Sequence, residues 1–150
     1  GFYDLIDFFL GTLFADIGHF KAFDTPQAFF AADPHQWFFD KQHPELSLKM
    51  VSEIEDMPRA VLKMMAHHHE AIDGSGFPKG LKGSVDIPDQ AQMVGIISEF
   101  MFGIYFGLSG RRQGDEGTVQ SAKNFLLKQR QRYSPDIYSA FTDLSSSLFA

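Results

Sequence analysis

The 150-residue sequence has no cysteine, which excludes a disulfide framework and every thiolate metal or redox site. It also lacks an uninterrupted apolar run. The longest candidate, 91–108, is broken by Gln92, Ser98 and Glu99. A carboxylate at mid-membrane costs about 3 kcal/mol, so this segment reads as a buried helix and no membrane insertion is expected. The opening residues Gly1-Phe2-Tyr3-Asp4 carry no positive leader, so no signal peptide is read and a cytoplasmic location is expected. Bases are scarce at first: residues 1–56 hold ten acids against three bases. With a net charge of −6, the chain is a poor match for a nucleic-acid backbone, and no nucleic-acid partner is expected.

Hydrophobic residues make up 44% and charged residues 21%, as in an ordinary globular chain, and one domain spanning 1–150 is expected. Seventeen phenylalanines are many for this length, and ten lie in the first 39 residues. Most are expected in the core. A terminus so rich in Phe reads either as a piece cut from a longer chain or as a docking surface. A basic stretch at 111–132 offers Arg111, Arg112, Lys123, Lys128, Arg130 and Arg132 to a small anion, or simply a solvated helix face.

Prolines punctuate helices. Asp33-Pro34, Pro44, Pro58, Pro88 and Pro135 all suit helix starts, and Leu5, Phe8, Phe9 and Leu13 repeat at helical spacing, as do Leu62, Met65 and Ala66. Residues 118–132 and 135–148 read as two further amphipathic helices. Gly74, Gly76, Pro78, Gly80 and Gly83 mark 73–87 as one long loop, and no alternating strand pattern occurs. The expected architecture is an all-α helical bundle with one Gly-rich loop. His35 and Trp37 read as core or capping residues of a short helix, and Met50, Met57, Met64 and Met65 as core filler.

His67-His68-His69-Glu70 closes a predicted helix just before that loop. Two readings stand side by side. Histidines suit a helix C-terminus because the dipole favours cations there, and they also suit a divalent metal. Neighbours on a helix point about 100° apart, so adjacent imidazoles within one would not easily hold a single ion.

His68-His69-Glu70, two residues, then Asp73-Gly74-Ser75-Gly76-Phe77-Pro78 and Gly80-Leu81-Lys82-Gly83 resembles the HHE-x-x-DGSGYP and GL-x-G signature of the HD-GYP family. Upstream, Asp16-Ile17-Gly18 resembles the family's HD-x-G-K segment, and His43-Pro44-Glu45 its HPE element. Downstream, 88–97 and Tyr133-Ser134-Pro135 resemble two later helix starts, so the likeness covers residues 10–145. The resemblance implies an HD/HD-GYP-type helical fold and metal-dependent hydrolysis of cyclic di-GMP by two or three ions, iron or manganese. It further implies Asp16 as a bridging carboxylate, with His43, His68 and His69 as metal ligands. Asp73, Gly76, Phe77 and Pro78 form the substrate or partner loop, where the family meets GGDEF domains. His19, at the position of a phosphate-facing lysine, and Arg111 and Arg112, near that of a phosphate-binding arginine, are weaker phosphate-binding candidates.

The departures are equally specific. The histidine of the HD pair is Ala15, the distal aspartate is Ser98 with Glu99 beside it, and the GYP tyrosine is Phe77. The family's first helix has no counterpart in this sequence. One divalent ion, or none, is therefore expected where the family holds a cluster, and no residue is assigned as catalytic. Losing one ion of a two-ion clamp removes several kcal/mol of transition-state stabilisation, about tenfold in rate for each 1.4 kcal/mol. The expected protein is a degenerate HD-GYP domain, catalytically weak or inactive. It would act in cyclic di-GMP signalling or as a scaffold within a larger assembly, with cyclic di-GMP or a GGDEF domain as its partner. The alternative is an active phosphodiesterase with an altered ligand set.

Overall fold

Proline and short turns divide the chain into helices at the positions the sequence marks. The structure, a computed structural model, describes residues 2–22, 25, 27, 28, 40–109 and 117–149. Helix α1 (Phe2–Phe14) is followed by a chain of tight turns, with Ile17 N donating to Phe14 O and His19 N to Asp16 O, before the short α2 (His19–Ala22). Pro44 lies in the first turn of α3 (His43–Val51), where its missing N–H costs nothing. Pro58 is the N-cap of α4 (Arg59–His67), Pro88 precedes α5 (Asp89–Ser109), and Pro135 opens α7 (Pro135–Leu148). Between the last two lie α6 (Gly117–Lys128) and a 3-10 turn (Arg130–Arg132).

Helices are the only extended elements among the described residues, apart from an isolated bridge between Asp73 and Lys82. The all-α expectation holds. The single helix expected over 118–132 is instead α6 and the 3-10 turn. The tighter winding presents Arg132 O to Ile72 N at 2.9 Å, tying this end of the chain to the Gly-rich loop.

Two apolar clusters hold the helices. Ala15, Val51, Val61, Met64, Met65 and Val94 join α1, α3, α4 and α5, whereas Ile96, Phe100, Ala122, Leu126 and Tyr133 join α5 to α6 and the 3-10 turn. Each fully buried aliphatic or aromatic side chain contributes about 1.5–3 kcal/mol, so α5, about 30 Å long, couples the halves of the bundle. Gln92 reinforces that joint, since its Oε1 accepts from Ser134 N at 2.8 Å and positions the start of α7. Met64 and Met65 are core residues, as the sequence suggested.

The phenylalanines divide. Phe8 and Phe14 pack on the first cluster, but Phe9 and Phe20 are exposed, together with Leu5 and Leu13. Leu5, Phe9 and Leu13 recur every four residues and so form a stripe on the outer side of α1. His35, Trp37, the Asp33-Pro34 helix start, Arg111 and Arg112 lie outside the described residues. Among the described residues no helix is long and apolar enough to cross a membrane.

Candidate metal centre

Three chain breaks converge on one point: the turn after α1, the first residue of α3, and the residues just past α4. The turn brings Asp16, and Ser47 of α3 pins it from both sides. Ser47 Oγ accepts from Gly18 N at 2.8 Å and donates to Ala15 O at 2.8 Å. This close approach requires glycine, because a Cβ at position 18 would lie 2.1 Å from His43 O.

His43 and His68 are fully buried and oriented by the same device. His43 Nδ1 lies 2.6 Å from Asp40 O, and His68 Nδ1 lies 2.9 Å from Met65 O. A carbonyl oxygen only accepts, so each Nδ1 is the donor and each Nε2 is turned toward the centre, where it can offer a lone pair. Those two Nε2 atoms are 3.1 Å apart, and each is 3.3 Å from Asp16 Oδ1. Two lone pairs and a carboxylate oxygen so disposed repel unless positive charge lies among them, as a metal ion or as added protons. His69 completes the group, with all four ligand atoms within 4.8 Å of one another. Imidazole and carboxylate donors with backbone-bonded outer nitrogens fit a divalent transition metal.

The pKa shifts agree with this grouping. Burial raises the Asp16 carboxyl, but its close interactions with the His43, His68 and His69 imidazoles outweigh that and hold it well below its ordinary value. Burial and then the charges of His68 and His43 lower His69 well below the usual histidine range. His19 is lowered to about 4, first by burial and then by His43. These rings are neutral near pH 7, the form that binds a cation.

The objection that adjacent histidines diverge does not apply. Helix α4 ends at His67, and His68 and His69 follow in a turn, so their ring centroids lie 4.2 Å apart. His67 takes no part in the group.

The Gly-rich loop folds back over the centre. Glu70 is buried, and its carboxylate accepts from Lys79 N at 2.7 Å and Leu81 N at 2.8 Å. Phe77 N donates to His69 O at 3.1 Å, and the Phe77 ring stacks on His69 with centroids 4.6 Å apart. Gly76 permits this, since a Cβ there would meet Ala71 N at 2.3 Å. Phe77 is therefore a half-buried wall of the centre, with Lys41 Nζ 5.9 Å above its ring. Asp73 is exposed and closes a turn by accepting from Ser75 N at 2.8 Å. Pro78, joined to Phe77 by a cis peptide, is half-buried.

An HD domain family model matches residues 12–137, most of the chain. The chain belongs to the HD domain family. Over 93 residues, 61% of its length, it is 33% identical to a protein of Xanthomonas campestris pv. campestris (strain 8004), the cyclic di-GMP phosphodiesterase response regulator RpfG. It spans 23% of that relative. With the HHE and DGSGFP segments, this makes it an HD-GYP-like HD domain.

Two further positions bear on the expected ligand set. Ala15 is fully buried in the first apolar cluster and brings no donor to the centre. Glu99 is no substitute ligand, because it pairs with Arg132 Nη2 at 3.0 Å and hydrogen-bonds to Tyr133. Sequence reasoning overlooked Ser47, Asp40 and the bonding of Glu70. Asp40 precedes His43 by three residues, the one visible hint of its role. Ser47 and Glu70 act through backbone amides that no motif displays.

Proposed function

We propose that this HD domain binds one divalent ion, iron or manganese, at Asp16, His43, His68 and His69, and recognises cyclic di-GMP there with little or no hydrolysis. The reading rests on one observation: the Nε2 atoms of two buried imidazoles and the Asp16 oxygen converge within 3.1–3.3 Å. The relative's cyclic di-GMP activity supports the ligand class.

A bound ion there would polarise a phosphodiester and neutralise its charge. The protein's own contribution is to hold the rings by their Nδ1 protons, to keep Asp16 ionised, and to shield one side of the centre with Phe77. The absence of donors at Ala15 and Ser98 supports weak catalysis, which leaves signalling or scaffolding as the role. A GGDEF-domain partner on the loop would meet exposed Asp73, Ser75, Lys79 and Gly80 rather than the Phe77 ring.

Calorimetric titration of cyclic di-GMP into manganese-loaded protein tests the proposal, with product chromatography in parallel. Binding that disappears in His68→Ala, with turnover at least about a hundredfold below that of a two-ion enzyme, supports it. No binding at high micromolar ligand would leave the scaffold role. The second reading, an active phosphodiesterase with an altered ligand set, is favoured by His19, which stacks on His43 at 4.0 Å.

A further inference from the structure

Lys41 is an exposed cation at the rim of the centre with no carboxylate to answer it. It forms no ion pair with a described residue, and its Nζ lies 5.9 Å from the centroid of the Phe77 ring. The backbone that carries it is held on both sides. Asp40 Oδ1 accepts from Gln42 N at 2.9 Å, and Asp40 O accepts from His43 Nδ1 at 2.6 Å. The turn that orients the His43 ring therefore also sets Lys41 against the Phe77 wall. That wall stacks on His69 at 4.6 Å and meets His43 edge-on at 6.1 Å. Other cations are engaged elsewhere: Arg132 pairs with Glu99 at 3.0 Å, and Lys63 and Lys79 act electrostatically on His67, which takes no part in the centre. A lysine over a ring at the surface is held weakly there, so its ammonium can turn to an anion.

We infer that Lys41 is a second anion-binding group of this site: while the ion holds one phosphodiester of a cyclic dinucleotide, the Lys41 ammonium donates to a non-bridging oxygen of the other. This rests on reading the Asp16, His43, His68 and His69 group as a one-ion site for cyclic di-GMP. A cyclic dinucleotide carries two phosphodiesters on opposite sides of one macrocycle, each a full negative charge at neutral pH. A single ion, partly balanced by Asp16, meets one of them. The other needs a cation beside the centre and not within it, and Lys41 is so placed. It thereby favours a cyclic dinucleotide over a ligand with a single phosphodiester.

The test is calorimetric titration of the manganese-loaded full chain with cyclic di-GMP and with linear GpG, which has the same bases and one phosphodiester. Lys41→Met, which keeps an unbranched stem over the ring, is expected to weaken cyclic di-GMP about tenfold and GpG less than about twofold, with Mn(II) content unchanged. The loss should shrink as salt rises, and Lys41→Arg should restore binding, because both effects follow the charge. Helical circular dichroism verifies that each variant is folded. A lysine that only braces Phe77 would instead shift the melting temperature and affect both ligands alike. Cyclic di-GMP affinity unchanged in Lys41→Met, or a loss that is equal for GpG or indifferent to salt, would overturn the role of Lys41 and leave the one-ion reading intact. Wild type that binds no cyclic di-GMP overturns both.

Discussion

Glu70 shows how one side chain sets the loop. Its two carboxylate oxygens satisfy two loop amides in a buried site, and hydrogen bonds to charged groups are worth about 1.5–3 kcal/mol each. Glu70→Ala is expected to destabilise the protein by about 3–5 kcal/mol in denaturant unfolding. It should also expose the Lys79 and Leu81 amides to rapid hydrogen exchange. Retained exchange protection would mean that the loop is held by something else. Phe77 is a milder case. Phe77→Ala removes a half-buried ring stacked on His69 and is expected to cost about 1–3 kcal/mol, whereas Phe77→Tyr, which restores the family hydroxyl, is expected to stay within about 1 kcal/mol of wild type. The same thermal or denaturant series checks both.

At the scale of elements, the centre depends on joints between helices. Ser47 of α3 fixes the turn after α1 through two hydrogen bonds. Ser47→Ala strands the Gly18 amide and is expected to cost about 1–3 kcal/mol, with a measurable loss of Mn(II) affinity because Asp16 is no longer held. The joint between α5 and the 3-10 turn contains a buried ion pair, Glu99 with Arg132. Burial raises Glu99, and Arg132 and Tyr133 only partly offset it, so its net pKa lies above the ordinary glutamate value. A carboxyl raised in the folded state contributes stability that is complete below the ordinary glutamate range and is lost as pH rises through its folded pKa. Unfolding free energy measured across acidic to neutral pH is therefore expected to show a downward component that Glu99→Gln removes. A pH profile unchanged by that substitution would mean Glu99 ionises as freely as in the unfolded chain.

For the molecule as a whole, a metal that binds only the folded state stabilises it by mass action, about 2.7 kcal/mol at a hundred times its dissociation constant. Chelator is expected to lower the melting temperature, and added Mn(II) to restore it. In His68→Ala both effects should vanish. The outer stripe of α1 makes the opposite prediction. Leu5, Phe9 and Leu13 are 64%, 66% and 59% exposed, so replacing any one by Lys is expected to change stability by less than about 0.5 kcal/mol. A loss of several kcal/mol at one of them would show that this face is covered in solution.

Much of this was legible in the chain. Proline and apolar periodicity place α3, α4, α5 and α7, because they act over one or two turns. The HHE and DGSGFP segments identify the centre and the loop for the same reason: their residues are neighbours in sequence. What sequence could not decide was direction and distance between segments. Whether His68 and His69 diverge depended on where α4 stops, and it stops at His67. Whether Glu99 could serve as a ligand depended on Arg132, 33 residues further on and 3.0 Å away. Whether Phe77 faces solvent depended on Glu70 drawing the loop inward. The sequence by itself determined the helical class and the loop, and it singled out Asp16, His43, His68 and His69 as candidates to hold an ion. Tertiary structure alone brought Asp40 to within 3.6 Å of His19 and the His43 and His68 rings to within 3.3 Å of Asp16, because only packing sets the angle at which separate segments present their side chains.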